Sequence, residues 1–310
     1  MPSSLTVRQH LVGCALVVLA GLILSLGMLC VRGAATSNAW QYLFWRALGF
    51  SFVLALVAMQ RHGVNPLAQI KHLGGFAWMS VIAMVVSQVC FILAVQSGNT
   101  AEIFFLMSLA PLMAAVLARP ILGERLGVMG IFAIAIALGG VALMSGLGLT
   151  PEGGQSRTWK SDGVAWILAL STAFAFAVYM LTTRGARSQD LDAALVAVGI
   201  LTALVSLLVL LALSLPLAGS LRDILLALLH GGVLLAAGLV LFARGSRVVP
   251  GVTLVMLAQA ETVAAPVWTY LVFNETATLS VIAGGALILT AVVMQTLDGA
   301  RPVSSIPSSQ

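Results

Sequence analysis

The 310 residues are 60% hydrophobic and only 8% charged, with a mean hydropathy of +1.09. A water-soluble domain carries about 25% charged residues, so this composition excludes a soluble enzyme, a nucleic-acid binder, a disulfide scaffold and a disordered chain, and makes lipid the solvent. The net charge of +5 comes from 15 Lys and Arg scattered against 10 Asp and Glu; no basic block exists, so the charge fits cationic loops of a membrane protein rather than a nucleic-acid surface.

A helix crosses a hydrocarbon core of about 30 Å with roughly 20 apolar residues. Such stretches are predicted at residues 11–31, 39–59, 75–95, 101–117, 128–149, 163–183, 193–213, 224–243, 248–273 and 279–296. Within them the formal charges are Arg46, Glu102 and Glu261; every other charged residue falls in a connection. That segregation predicts an all-α integral membrane protein of ten transmembrane helices. The first stretch lacks a small-residue cleavage site and leads straight into further spans, so it reads as a retained helix and not a signal peptide. The connections are too short for a soluble domain. A polar, Gly-containing linker, TPEGGQSRTWKSDG, lies at the midpoint, and the tail RPVSSIPSSQ reads as disordered. Cys14, Cys30 and Cys90 lie in apolar runs without CxxC spacing and read as free thiols that pack as small hydrophobes.

Ten spans would put both termini on one side. That side holds ten Lys and Arg, from Arg8 to Arg301, against four opposite, Arg32, Arg157, Lys160 and Arg222. The positive-inside rule therefore predicts cytoplasmic termini. A shift of 151 residues superposes the ends of the two halves: Leu106, Ala114, Val116 and Glu124 meet Leu257, Ala265, Val267 and Glu275. Each half would hold an odd number of spans, so equivalent segments would cross in opposite directions, as in the inverted repeats of secondary transporters. The expected division is a first repeat at 1–149, a linker at 150–162, a second repeat at 163–297 and a tail at 298–310.

The stretch APLMAAVLARPILGERL followed by ALGGVALM, and the stretch LAQAETVAAPVWTYLVFNETATLSVIAGGALILTAVV, resemble the two EamA-type repeats of the drug/metabolite transporter superfamily. The shared pattern is a Pro-containing span, a short loop with a Glu and a Gly/Ala-rich helix. GVAWILALSTAFAFAVYMLTTR is similar to the sixth helix of that family. The chain departs from the pattern at Asn274, where a Gly usually precedes the Glu, and at Thr262, where a Pro is common. The resemblance implies a multi-pass carrier of the inner membrane that exports small metabolites, amino acids or drugs. It also implies a central cavity lined mainly by helices 1, 3, 4, 6, 8 and 9.

Several residues are candidates for that cavity. Glu261 lies mid-span, where a charge costs about 2.5–3.5 kcal/mol to insert; it reads either as a substrate or proton-coupling carboxylate or as a structural partner of Arg46. Arg46 reads as an anion ligand, or as a snorkelling or internally paired cation. Glu102, at the start of the fourth span, is a second coupling candidate or a residue that compensates the helix dipole, with Asn99 or Thr100 as the cap. Trp268 shares a helical face with Glu261, and Phe105 is placed with it at the cavity. Gln88, Gln259, Ser25 and Tyr179 would supply hydrogen bonds to a ligand or across helices. Pro111 and Pro266 are expected to break the fourth and ninth helices, freeing the carbonyls of Met107 and Thr262. Glu124 and Glu275 read as structural loop residues, and His230 as a relay or a residue near the interface. Gly139–Gly140 and Gly284–Gly285 would let helices approach closely. No HExxH, P-loop, GxSxG or Cys/His metal spacing occurs. The expectation is therefore a non-enzymatic secondary transporter without a cofactor or metal. It would act as a monomer on a small-molecule substrate in membrane lipid, by alternating access.

Overall fold

The computed structural model describes residues 7–34, 37–63, 65–122, 128–144, 159–183, 188–217 and 219–298. The Glu124 loop, the start of the midpoint linker and the tail from residue 301 lie outside them, as do the predicted span residues 145–149. Among the described residues all regular structure is helical, and the helices fall into ten runs. The first run is Val7–Ser25 and Gly27–Gly33, and the second is Ala39–His62. A short helix, Pro66–Ile70, stands in the next connection. The third run is Gly75–Ser97, the fourth Thr100–Met107 and Ala110–Leu122, and the fifth Val128–Met144. The sixth, Trp159–Thr182, begins inside what the sequence suggested was linker. The seventh is Ser188–Ala212. The eighth is Leu221–Leu228, a π-helical turn Leu229–Leu235 and Ala236–Gly245. The ninth is Gly251–Ala258 and Ala260–Phe273, and the tenth Leu279–Asp298. Eight of these runs are long and apolar enough to cross a membrane unaided; Val128–Met144 is a shorter apolar helix, and the ninth is divided at Gln259.

The surface is oilier than the interior. Phe76, Leu138, Ile167, Leu208 and Leu279 are all more than 60% exposed, whereas Ala20, Ala133, Ala169, Ala193 and Ala265 are wholly buried. Lipid gives helices no hydrophobic reason to associate, so small residues that let backbones touch decide the packing. The fifth and tenth spans cross at Gly140 and Gly284: a Cβ on Gly140 would lie 2.6 Å from the Gly284 carbonyl oxygen. Gly285 makes room for the Phe105 ring, while Gly139 faces open space.

The helix pairing has a pattern. The third span packs on the sixth and the first on the eighth; the second packs on the seventh, the fifth on the tenth and the fourth on the ninth. The fourth also touches the sixth, and the ninth touches the first. Exchanging each of the first five spans with the one five places later leaves this set of pairings unchanged. The helix breaks at Ser108 and Gln259 are also 151 residues apart. On one face, Arg32 donates to Glu275 through Nε (3.0 Å) and Nη2 (2.9 Å) and to the Gly98 carbonyl at 2.7 Å. Glu275 also accepts from the backbone N–H and hydroxyl of Thr100. The ends of the first, third and ninth spans and the start of the fourth thus meet on one face, as alternate crossing requires. Asn274 ends the ninth span with φ 53°, the left-handed geometry that a Gly would supply there; Asn is the other residue that adopts it readily.

Candidate functional site

Four spans depart from a regular α-helix. The first breaks at Leu26, the fourth at Ser108–Leu109 and the ninth at Gln259, and the eighth unwinds into its π-helical turn. At Gln259 the backbone N–H bonds to the Met256 carbonyl, three residues back, instead of four. Irregular backbone at membrane depth persists only where protein or water satisfies it, and π turns concentrate at functional positions.

Three of these breaks converge. His230, in the π-helical turn, is buried, and its Nδ1 lies 2.9 Å from the Tyr42 hydroxyl of the second span. Gly27 of the first span rests against the His230 ring, so close that a Cβ there would lie 2.5 Å from Nε2. The next residue, Gly231, lies against the Arg46 carbonyl oxygen. Tyr42 and Arg46 are one turn apart on the same face of the second span. On the other side of the first span, a Cβ on Gly21 would lie 3.1 Å from the Glu261 backbone nitrogen. Glu261 is the second residue of the helix that restarts after Gln259. Four residues beyond Gly21, Ser25 accepts from the Trp268 indole at 2.9 Å and donates to the Leu22 carbonyl at 2.7 Å.

Arg46 is 5% exposed. Among the described residues its side chain donates no hydrogen bond to protein, and its Nε is sealed from solvent without a partner. Arg46 and Glu261 interact electrostatically, but the ion pairs closer than 4.0 Å among the described residues are Arg32–Glu275 and Arg61–Asp192. A guanidinium cannot shed its proton, and a buried charge requires a compensating partner. The arrangement therefore leaves a cation from the first half in electrostatic interaction with a carboxylate from the second, with Tyr42–His230 and Ser25–Trp268 as hydrogen-bonded pairs on the elements that carry or touch them. Two apolar clefts lie elsewhere: one of 240 Å³ with Leu112, Ile134, Leu138 and Phe174, the other of 520 Å³ with Val86, Ile167 and Phe174. Neither contains a charged residue. No group of three or more His, Cys, Asp or Glu that could hold a metal ion occurs among the described residues.

Residues 11–146 match the family model of the EamA-like transporter family. Over these 136 residues of the 310 the chain is similar to EamA-like transporters. A solved structure, described as "Crystal structure of protein", is similar at a TM-score of 0.60 and 16% identity, over 94% of this chain and 96% of that one. At that identity the likeness is one of fold. No curated protein matches the chain significantly.

The chain brings Arg46, Glu261, Ser25 and Trp268 to one region. Gln259 sits at the break beside them, its side-chain oxygen accepting from the Thr262 hydroxyl at 3.1 Å. Glu102 is held apart from that cluster: it is buried in the first turn of Thr100–Met107 and accepts from the Trp166 indole at 2.7 Å, which ties the fourth span to the sixth. The cap of that helix is Asn99, which accepts from the Ala101 N–H at 3.0 Å. Gln88 is buried in the third span, next to Ser87, whose hydroxyl donates to the Thr172 carbonyl of the sixth. Tyr179 stacks on Phe176, centroids 5.7 Å apart, within a turn of the end of the sixth span. Phe105 packs on Gly285 of the tenth.

Of the two expected helix breaks, the one at Pro266 needs correction. Pro266 does not break the ninth span; Ala260–Phe273 runs through it, and the break lies seven residues earlier at Gln259. A proline in a membrane helix removes one bond, which neighbouring groups can compensate without ending the helix. Pro111 does stand at a break: the fourth span gives way at Ser108–Leu109, just after Met107, and Pro111 is the second residue of the helix that restarts at Ala110, where its missing N–H costs nothing. His230 is not loosely held: it is buried, with its Nδ1 against the Tyr42 hydroxyl. The signals for these two were faint: Tyr42 stands four residues before Arg46, and His230 precedes Gly231 and Gly232, a pair that announces close backbone approach.

Proposed function

We propose that this EamA-type chain is a secondary transporter that moves a small organic solute by alternating access, through the region between Arg46 and Glu261. The observation that carries the reading is the meeting of two intramembrane charges, one from each half of the chain, at breaks in the first, eighth and ninth spans. Polar groups at that depth are costly and face cavities or each other, and discontinuous helices mark midplane sites in such carriers. The pairing pattern of the spans and the matched breaks at Ser108 and Gln259 support two inverted repeats, divided near residues 149 and 163, as the parts that would rock. The orientation follows from the loop charges: both termini cytoplasmic, in the inner membrane, with Arg32 and Glu275 on the outer face. Export is the direction that fits the family resemblance. Both halves of the site lie in one chain, which supports a functional monomer.

The test is flux into proteoliposomes across a panel of small organic solutes, with and without a pH gradient. Glu261→Gln is expected to abolish flux or separate it from the pH gradient while the protein stays folded in the bilayer. Unchanged, still pH-driven flux in that variant would remove Glu261 from the mechanism.

A further inference from the structure

We infer that the Arg46 guanidinium is the receptor for an anionic group on the solute, of the carboxylate class. The inference rests on the carrier reading for the location of the site, and on Arg46 for the chemistry. Three observations meet here. Arg46 is buried to 95% of its surface yet donates no hydrogen bond to protein among the described residues. Its Nε is shut off from solvent. Glu261 interacts with it electrostatically without an ion pair closer than 4.0 Å among the described residues.

A structural arginine in lipid would be paired or fully hydrogen-bonded, as Arg32 is in the same chain. Arg32 reaches two carboxylate oxygens, a backbone carbonyl and a hydroxyl. Arg46 has the same planar fork and none of those partners. A carboxylate matches that fork with two parallel bonds. The groups around it do not compete for the role. Tyr42 is engaged with His230, and Ser25 is committed to Trp268 and Leu22. The carboxylate that interacts with it electrostatically among the described residues is Glu261. Glu261 therefore acts as the resident counter-charge of the empty carrier and as a competitor of an incoming carboxylate. This assigns Arg46 and Glu261 opposite effects on anion affinity.

The experiment is equilibrium binding to the purified full chain in detergent, read by tryptophan fluorescence, since Trp268 and Trp45 lie near the site, and by thermal stabilisation. The probes share one carbon chain and differ in charge: hexanoate, hexylamine, hexan-1-ol and norleucine. Hexanoate is expected to bind saturably and hexylamine and hexan-1-ol are not. Arg46→Gln is expected to weaken hexanoate roughly tenfold to a hundredfold, the loss of a charged hydrogen-bonded pair, and Arg46→Lys to weaken it less. Glu261→Gln is expected to tighten hexanoate. For norleucine, tightening in Glu261→Gln would mean that only the carboxylate is read, and weakening would mean that Glu261 also holds the ammonium; both keep the assignment of Arg46. Because Arg46→Gln removes an unpaired buried charge, its melting temperature is expected to equal or exceed that of the wild type, so lost binding cannot be ascribed to unfolding. The inference is overturned if hexylamine or hexan-1-ol binds as well as hexanoate, if Arg46→Gln binds hexanoate undiminished, if no probe carrying a carboxylate binds, or if Arg46→Gln melts well below the wild type. Saturable flux of a cationic solute that survives Arg46→Gln would sink this inference and leave the carrier reading standing.

Discussion

Two arginines in this chain carry the same charge and meet opposite fates. Arg32, near the end of the first span, donates through Nε and Nη2 to Glu275, Thr100 and the Gly98 carbonyl and holds the two halves together through Glu275. The pair is about one-fifth exposed, with side-chain values of 22% and 17%, so screening weakens it without abolishing it. Replacing Glu275 by Gln removes the charge and one of two parallel bonds; the expected cost is about 1–2 kcal/mol, read as a drop of a few degrees in the melting temperature of the detergent-solubilised protein. An unchanged melting temperature would show that the clamp contributes nothing to the fold. Arg46 is the contrary case, a buried charge that donates no hydrogen bond to protein among the described residues. The sequence marks both Arg46 and Glu261 through the rarity of charge in apolar runs, a signal that needs no geometry. It marks Tyr42 and His230 poorly, because a tyrosine or histidine in a span is cheap enough to be ordinary. Only the close approach at Gly27 and Gly231 turns them into neighbours of the charged pair.

At the scale of elements, small residues set where spans touch. Gly140→Ala would drive a methyl into the Gly284 backbone carbonyl, an atom that cannot rotate away. The expected result is a loss of about 1–3 kcal/mol, typical of overpacking, measurable by thermal unfolding, whereas Gly139→Ala meets open space and is expected to be silent. Equal effects from the two substitutions would mean that the fifth and tenth spans do not cross at Gly140. The existence and order of the spans were legible because twenty apolar residues in a row have few other uses in a folded chain. Their interruptions were not. Proline is the visible breaker, yet the ninth helix passes through Pro266 and gives way at Gln259, where no local rule forbids a helix and tertiary contacts decide. The break at Leu26 and the π-helical turn at Leu229–Leu235 share two features: glycines of low helical propensity, Gly27 and the pair Gly231–Gly232, and close packing there, of Gly27 on His230 and of Gly231 on Arg46. The sixth helix begins at Trp159 rather than Gly163 because polar residues at a span end continue a helix into the interface without cost.

For the whole molecule, threading is written in the alternation of apolar runs and charged turns, and the meeting of Arg32, Gly98, Thr100 and Glu275 on one face agrees with it. The symmetry of the halves was faintly legible in the 151-residue shift, since identities among apolar residues carry little information; the exchange-invariant pairing of spans is what gives the shift weight. The solute was not legible, because the proposed site, two charges and a few hydrogen-bonding groups, constrains chemistry and not identity. The central claim, that solute passes by alternating exposure of a site shared between the halves, is tested most directly by counterflow. Proteoliposomes carrying the wild type would be loaded with unlabelled solute and the entry of labelled solute measured against unloaded vesicles, with Glu261→Gln and Arg46→Gln in parallel. The account predicts saturable entry that accelerates when the far side is loaded, and loss of that acceleration in both variants. Entry that rises in proportion to concentration, indifferent to loading and to both substitutions, would contradict it.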